Sequence, residues 1–298
     1  MTNRNKRKSF TLIELLVVIV IIGILAGVIM ISTSSSITKA NFAKAQTFSN
    51  TVQEELLLNL VSEWLFDEDV SPYTATKDSW GSSNGTVSGA AYKSKGSGEC
   101  VSGGCYSFNG TSDYINFGNS TNLQWEGSLT YATWIKAISI ASSAYFLCDY
   151  QTRGAFLYTN VDGRVGMDGR GKIGSIYYQS GVSVTSINDY LWHYVVGIWD
   201  GTSGTNNLKM YVDGKKENAN NAPDEASTIN STDFVIGKFS SGYYFNGLMD
   251  DVRIYNTALS SAQIKQNYIA GLNSMLSNGS ISKEEYNERI NELAYDNK

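Results

Sequence analysis

Histidine, the most common general acid or base in catalysis, occurs only once in this chain. Its single histidine, His193, excludes any mechanism that needs two histidines. A Ser-His-Asp arrangement could be built around His193, because serines are abundant along the chain. The cysteines and carboxylates are the other chemically useful groups, and their positions decide which chemistry is open to them.

Two of the three cysteines, Cys100 and Cys105, lie five residues apart in a glycine-containing segment. The glycines let the chain fold back, so we expect a disulfide between these cysteines if the chain is exported. A metal site is the weaker interpretation, because Cys148 is the one other thiol and His193 lies in a different type of segment. Cys148 has apolar neighbours and is interpreted as a small buried hydrophobe.

Glu14 is a carboxylate at the start of an almost unbroken apolar run from Leu15 to Ile31. A bilayer is crossed by about 20 apolar residues. A charge at the membrane centre costs about 2.5–3.5 kcal/mol, and less near the interface, so we expect Glu14 to have a partner and a function. Basic residues between Arg4 and Lys8 keep the N-terminus cytoplasmic. Small residues follow the run, which leaves cleavage by a conventional signal peptidase open.

The composition favours a β-rich extracellular domain. The chain has 28 Gly and 19 Tyr but only 2 Pro, and 17% of its residues are charged. Its net charge is −5, and removal of the first nine residues would take away four positive charges and leave −9. An acidic chain is a poor partner for nucleic acid, so we expect no nucleic-acid binding.

Alternating runs predict strands between about residues 63 and 255, with turn residues at short spacing between them. No helix-length segment interrupts them, so the pattern favours an antiparallel two-sheet sandwich or jelly roll over a parallel α/β sheet. Asp213-Gly214 predicts a two-residue hairpin turn. The clearest predicted strands are 114–117, 129–135, 192–199, 208–212, 234–236 and 252–255.

The segment from Lys8 to Ile19 resembles the N-terminal signature of type IV pilins and the related secretion pseudopilins. This resemblance implies that a prepilin peptidase cuts between Ser9 and Phe10. It also makes Glu14 the fifth residue of the mature chain, which in assembled filaments is thought to neutralise the N-terminal amine of a neighbouring subunit. The family normally has Gly before the cut, where this chain has Ser9, another small residue.

A second resemblance covers about residues 63–270. The blocks at 65–68, 78–86, 108–115, 192–193, 210–214 and 245–255 look like the laminin-G-like family of concanavalin-type lectin/glucanase sandwiches. The resemblance implies a jelly roll that binds carbohydrate or protein, often with a structural calcium ion. The candidate calcium ligands are Asp78, Asn84 and Asp250, for which turn formation and solvated capping are the alternative roles.

We expect no enzymatic activity and no organic cofactor. Enzymes of this sandwich class that retain configuration use two carboxylates in a Glu-x-Asp-x-x-Glu spacing, and no Glu of this chain is followed two residues later by Asp. The family pattern places an ordinary strand residue at His193, so we expect a structural role for it. Five aromatic residues near glycine-rich loops could stack on sugars, although core packing is the commoner role: Tyr177, Tyr178, Tyr243, Tyr244 and Phe245.

The predicted fold class is α+β: a leader (1–9), a long helix that is first transmembrane and then amphipathic (10–62), the sandwich (63–270) and a helical tail (271–298). In the tail, Ser282 and Glu285 form a capping-box pattern. We expect a filament subunit, membrane-bound as a precursor and then displayed on the cell surface. Its predicted partners are other pilin subunits, the prepilin peptidase, and a glycan or surface protein. The alternatives are a membrane-tethered or secreted glycan-processing protein and a type II secretion pseudopilin.

Overall fold

The computed structural model describes residues 54–295, apart from 125, 140–142, 150–153, 171–176, 202–206, 221–225, 228–232 and 240–241. The predicted leader and anchor, with Ser9, Phe10 and Glu14, lie outside these residues. Within the described ranges, no helix combines the length and the apolar character needed to span a membrane.

Twenty strands and two long helices make up most of the described chain. In chain order the strands are β1 (Leu60–Trp64), β2 (Ala75–Thr76), β3 (Gly85–Ser88), β4 (Ala91–Lys93), β5 (Cys105–Asn109), β6 (Tyr114–Asn116), β7 (Glu126–Gly127), β8 (Leu129–Ala137), β9 (Ala144–Asp149), β10 (Gly154–Thr159), β11 (Arg164–Arg170), β12 (Tyr177–Ser186), β13 (His193–Trp199), β14 (Leu208–Val212), β15 (Lys215–Asn220), β16 (Ala226–Ser227), β17 (Phe234–Ile236), β18 (Lys238–Phe239), β19 (Tyr243–Tyr244) and β20 (Asn246–Tyr255). A 3₁₀ turn spans Thr121–Leu123, and the helices are α1 (Ser261–Asn278) and α2 (Lys283–Tyr295).

Sixteen of these strands form two antiparallel sheets that pack as a sandwich, as the alternating runs predict, and the other four form the separate pairs β7–β16 and β18–β19. Sheet I has the order β15-β14-β13-β8-β20-β5-β4, with β1 also paired to β20, and sheet II has the order β12-β11-β10-β9-β17-β6-β3-β2. The predicted hairpin turn is confirmed, since Asp213 (φ 52°) and Gly214 (φ 77°) separate β14 from β15.

The core lies between the sheets and is rich in aromatic and branched residues. A Cβ atom on Gly197 of β13 would lie 2.4 Å from Leu157 Cδ2, which places Leu157 of sheet II directly against sheet I. Trp64 of β1 lies 4.1 Å from Phe117 and 5.6 Å from Phe234 between ring centroids. These side chains are buried on the inward face of their strands, because successive side chains of a strand alternate between its two faces.

Helix α1 covers the outer face of sheet I. The ring of Tyr268 stacks on Trp134 of β8, with centroids 5.5 Å apart. Gly271 is required at this contact, because a Cβ atom there would lie 2.4 Å from Trp134 Cζ2. Strand β8 is therefore buried on both faces: the core covers one side and α1 covers the other.

Both helices begin with a serine cap. Ser282 accepts a hydrogen bond from the Glu285 N–H (3.1 Å) at the start of α2, as the sequence pattern predicts. A full capping box, with both reciprocal hydrogen bonds between Ser260 and Gln263, starts α1. The predicted boundary between residues 270 and 271 falls inside α1, which spans Ser261–Asn278 and packs on the sandwich as one continuous helix. The boundary between 62 and 63 falls inside β1, because β1 pairs with β20 from Leu60 onward.

Candidate functional site

The outer face of sheet II and the separate strand pair β18–β19 together carry a cluster of five aromatic side chains, which we call the aromatic patch. It consists of Tyr145 from β9, Phe156 and Tyr158 from β10, Phe239 from β18 and Tyr243 from β19. Because Leu157 points into the core, its neighbours Phe156 and Tyr158 point to the opposite face of the sheet. Strand alternation therefore brings two rings of β10 to the outer face.

Tyr145 lies at the centre of the patch. Its ring centroid is 4.7 Å from that of Phe239 and 5.6 Å from that of Tyr158, both in stacked arrangements. Tyr243 closes the cluster edge-on, 5.8 Å from Tyr145. Close packing of this kind orders the rings before a ligand arrives and so reduces the entropy cost of binding.

The patch has one strongly exposed ring and a buried base. Tyr243 is 46% exposed, while Phe156 is buried at 4%. Gly166 of β11 leaves room for the ring of Tyr158, because a Cβ atom there would lie 2.8 Å from three of its atoms. Tyr145, Tyr158 and Phe239 are half-buried, so the ring of Tyr243 is the part of the patch that is most open to a ligand.

Asp168 of β11 lies at the edge of the patch, with only 2% of its surface exposed. Its Oδ2 atom accepts a hydrogen bond from Gln179 Nε2 (3.2 Å). Burial and the nearby Asp168 carboxylate raise the pKa of the Tyr158 hydroxyl, which therefore stays protonated as a hydrogen-bond donor at neutral pH.

The five aromatic residues that the sequence singled out have different positions. Tyr243 is exposed in the patch, and Tyr244 is half-buried beside it on β19. Phe245 is 1% exposed and belongs to the core, 6.0 Å from Phe146. The side chains of Tyr177 and Tyr178 lie outside the described part of the structure.

Asp78 organises a turn through backbone hydrogen bonds. Its Oδ1 accepts from the N–H groups of Glu63 (3.0 Å), Trp80 (3.2 Å) and Gly81 (2.7 Å), and its Oδ2 accepts from that of Ser83 (2.9 Å). N–H donors face this carboxylate where a cation would have to bind, so the arrangement does not fit a calcium ion. Turn formation, the alternative weighed from the sequence, describes this residue.

The other two candidate calcium ligands also have protein partners. Asn84 Oδ1 accepts from the N–H of Asp78 (2.9 Å). Asp250 is fully buried where β20 bulges, and it accepts from the N–H groups of Val101 (2.9 Å) and Ser102 (3.0 Å). Across the described residues, no three His, Cys, Asp or Glu side chains are placed to hold a metal ion. Calcium binding itself stays a prediction.

The structure joins Cys100 and Cys105 in a disulfide, with Cα atoms 5.5 Å apart. The loop that it closes supplies the two N–H groups bound by Asp250. The carbonyl oxygen of Cys100 also accepts a hydrogen bond from Ser280 Oγ (2.8 Å), just beyond α1. The disulfide loop thus connects the bulge of β20 to the helical tail. Cys148 is buried in β9, as its apolar neighbours indicate.

His193 is held by two carboxylates. Its Nδ1 lies 2.7 Å from Asp213 Oδ2 and its Nε2 lies 3.0 Å from Asp189 Oδ1. Burial by itself would lower the pKa of His193, but these carboxylates outweigh burial and raise the pKa to about 9. Since both ring nitrogens face a carboxylate, neither is positioned to activate a serine, and the contacts are those of a structural histidine.

These residues border an acidic cleft of about 600 Å³ between the turns before β13 and β15 and helix α2. Arg289 of α2 donates to the carbonyl oxygen of Trp192 (2.7 Å) and pairs with Glu285 (2.8 Å). The tail is therefore fastened beside His193 by an arginine contact.

Sequence reasoning missed most of the aromatic patch and both partners of His193. The alternation in 154–159 was a usable signal for Phe156 and Tyr158. No local pattern connects Tyr145 with Tyr243, or His193 with Asp213, because these pairs meet only when the sheets form.

Comparisons with known proteins agree with this architecture. The profile of the concanavalin A-like lectin/glucanases superfamily matches residues 109–265, and that of the prokaryotic N-terminal methylation motif matches residues 4–30. No curated protein matches the chain.

Similar folds occur in solved structures at low sequence identity. The binding domain of Paraclostridial Mosquitocidal Protein 1 is 15% identical over 73% of this chain (TM-score 0.57), and this chain spans 53% of that structure. Domain 4 of AbnA, an extracellular arabinanase from Geobacillus stearothermophilus, in complex with arabinotriose, is 17% identical over 70% of this chain and 97% of that domain (TM-score 0.53). The botulinum neurotoxin serotype D ligand-binding domain, in complex with N-acetylneuraminic acid, is 12% identical over 74% of this chain and 53% of that chain (TM-score 0.56).

Proposed function

Because the chain belongs to the concanavalin A-like lectin/glucanases superfamily and carries a prokaryotic N-terminal methylation motif, we propose that it is a subunit of a type IV pilin-like surface filament with the β-sandwich as its binding head. The precursor is anchored in the membrane and cut between Ser9 and Phe10. Glu14 then pairs with the N-terminal amine of a neighbouring subunit. The observation that carries the proposal is the presence of both modules on one chain.

The head binds glycans or surface proteins through the aromatic patch. An exposed aromatic ring, Tyr243, held by a packed aromatic cluster suits the apolar C–H face of a sugar ring or an apolar side chain of a protein. Two of the similar structures hold a saccharide, which supports this class of ligand.

The head binds without transforming its ligand. The sequence lacks the carboxylate spacing of the retaining enzymes of this fold, and His193 has both ring nitrogens against carboxylates. The buried Asp168 accepts a hydrogen bond from Gln179, which suits a role in holding the patch.

The first experiment is intact mass measurement and N-terminal sequencing of the protein sheared from the cell surface. A chain that begins at Phe10, with a methylated amine, supports the filament proposal. A chain that begins after the serine-rich segment at 32–36, or that still begins at Met1, contradicts it.

Binding is tested separately by adhesion of purified filaments to glycan- and protein-coated surfaces. Tyr243→Ala should weaken adhesion about tenfold or more, because exposed aromatic anchors dominate such contacts. Tyr190→Ala is the matched control, since Tyr190 is 59% exposed in the turn before β13 and lies outside the patch. Equal adhesion of the two variants would exclude the patch as the binding surface.

A further inference from the structure

Helix α2 buries few apolar side chains against the rest of the head. Between residues 283 and 293, Leu293 alone is buried, and Ile281 is the buried residue of the turn that precedes the helix. A helix of this length is marginal in water by itself, so its position depends on contacts with its surroundings. We call residues 279–295, the turn together with α2, the α2 arm.

The start of the α2 arm is bonded directly to the loop that the disulfide closes. The carbonyl oxygen of Cys100 accepts a hydrogen bond from Ser280 Oγ (2.8 Å) and another from Asn278 Nδ2 (3.3 Å). Asn278 Nδ2 also donates to the carbonyl oxygen of Val101 (3.1 Å). All three bonds end on the backbone of the loop, so they form only when the loop has this conformation.

A second connection runs from the same loop to the middle of α2. Trp192 Nε1 donates to the carbonyl oxygen of Glu99 (2.8 Å), the residue directly before Cys100. The carbonyl oxygen of Trp192 in turn accepts from Arg289 Nη1 (2.7 Å). The α2 arm is therefore connected at two places to the segment that begins the disulfide loop.

The disulfide holds this loop in the conformation that the arm requires. Gly103 (φ 37°) and Gly104 give the loop backbone freedom, and the cross-link keeps its two end Cα atoms 5.5 Å apart. The N–H groups of Val101 and Ser102 bind the buried Asp250 in the same conformation. Without the cross-link, the entropy of ordering the loop opposes both sets of contacts.

Both cysteines are inaccessible in the folded head. Cys100 is 3% exposed and Cys105 is fully buried. A disulfide forms by exchange, in which a cysteine thiolate must reach a sulfur of an external disulfide. Since Ser280 and Asn278 already contact Cys100 in the folded head, the exchange takes place before the α2 arm reaches its final position.

We propose that docking of the α2 arm is redox-dependent: oxidation of Cys100 and Cys105 must precede docking, and reduction of the disulfide releases the arm. The reaction that supplies the docked form is thiol–disulfide exchange with a disulfide-bearing oxidant. One cysteine thiolate attacks the oxidant and forms a mixed disulfide, and the second cysteine thiolate displaces the oxidant's sulfur. The two cysteines are oxidised, and the oxidant leaves as two thiols that carry the two protons lost by the cysteines.

Release of the arm would also open the acidic cleft beside His193. Glu284, Glu288 and Glu292 of α2 line this cleft on one side, whereas Asp189 and His193 line it from the sandwich. When the arm leaves, the cleft loses one wall. The redox state of the disulfide loop consequently decides whether the cleft is complete.

The proposal is tested by hydrogen exchange of the full-length chain in detergent, with oxidised wild type compared with Cys100→Ser combined with Cys105→Ser. Amides of the α2 arm should lose protection by a factor at least ten times larger than amides of β8, which report unfolding of the whole head. Loss of protection by the same factor in both places would show that the disulfide only stabilises the fold, and would overturn the proposal.

A second measurement keeps both cysteines and also decides the question if the serine variant does not fold. Because coupling is reciprocal, dithiothreitol should reduce the disulfide of Asn278→Ala combined with Ser280→Ala at least tenfold faster than that of the wild type. Newly labelled thiols are counted, and the buried Cys148 stays unlabelled in both proteins. Ser274→Ala combined with Ser277→Ala is the matched control, since these hydroxyl groups donate within α1.

Equal rates of reduction in the wild type and in the Asn278→Ala, Ser280→Ala variant would overturn the proposal. So would a control variant that is reduced as fast as this variant, because the effect would then not depend on contacts with the loop. None of these results bears on cleavage before Phe10 or on adhesion through Tyr243. Failure of this proposal is therefore distinguishable from failure of the filament proposal.

Discussion

Removal of the charge on His193 is the sharpest test of how its two carboxylate partners stabilise the fold. The imidazolium lies between Asp213 (2.7 Å) and Asp189 (3.0 Å), and only 6% of the residue is exposed. In His193→Gln the side chain cannot carry a positive charge. The two carboxylates then lose their shared cation.

The magnitude follows from the pKa. His193 titrates at about 9 in the folded protein, against an ordinary value of 6.5, and this difference corresponds to about 3 kcal/mol of stabilisation when the ring is protonated. The raised pKa means that the folded state binds the proton more tightly than the unfolded state does. The stabilisation is therefore complete below pH 6.5 and is lost as the pH rises through 9.

The assay is urea unfolding of the wild type and His193→Gln at several pH values from 6 to 9.5, followed by tryptophan fluorescence. The wild type should be more stable by about 3 kcal/mol at pH 6, and the difference should shrink to near zero above pH 9. Other groups titrate in this range, but they are common to both proteins and cancel in the difference.

A direct measurement is available because the chain has a single histidine. Its imidazole signals in NMR need no assignment, and their titration gives the pKa of His193. Asp213→Asn should bring this pKa down toward its ordinary value. A wild-type pKa at or below 6.5, or a stability difference that does not change with pH, would refute the reasoning.

Three further outcomes are expected. Cys100→Ser combined with Cys105→Ser should lower the free energy of unfolding by about 2 kcal/mol, because the disulfide no longer restricts a six-residue loop of the unfolded chain. A denaturant midpoint that matches that of the wild type under oxidising conditions would contradict this. Gly271→Val should destabilise the head by about 1–3 kcal/mol, because the new side chain collides with Trp134 beneath α1; an unchanged Tm would show that the helix does not lie as described. Glu14→Ala should leave the precursor cleaved but reduce the amount of protein recovered in sheared filaments at least tenfold. The measurement is an immunoblot that compares the sheared filaments with the membrane fraction. A normal filament yield would argue against pairing of Glu14 with the N-terminal amine of a neighbouring subunit.

Much of the sandwich could be predicted from local patterns. The runs at 208–212 and 234–236 coincide with β14 and β17, and the Asp213-Gly214 turn joins β14 to β15 as expected. These features are local because side-chain alternation and turn geometry depend on residues within two or three positions of each other. The helix caps at Ser282 and Ser260 are also local features, although the sequence analysis predicted only the cap at Ser282.

The roles of the candidate site residues could not be predicted so well. Asp250 had the pattern of a calcium ligand or a solvated cap, yet it is buried and binds N–H groups about 150 residues earlier in the chain. Burial and the neighbouring Asp251 carboxylate raise its pKa. Its position depends on where β20 changes partner from β5 to β1, and sheet order of this kind has no local signature.

The sequence by itself determined the features whose causes are local: the charged residue at the entrance of an apolar run, the alternation of the strands and the tight turns. The tertiary structure alone decided which strands are neighbours. That order assembled the aromatic patch from β9, β10, β18 and β19, placed Asp189 and Asp213 on either side of His193, and set α1 against Trp134 of sheet I. The physical reason is that long-range contacts are selected by the burial of whole faces, and many local patterns are compatible with several such arrangements.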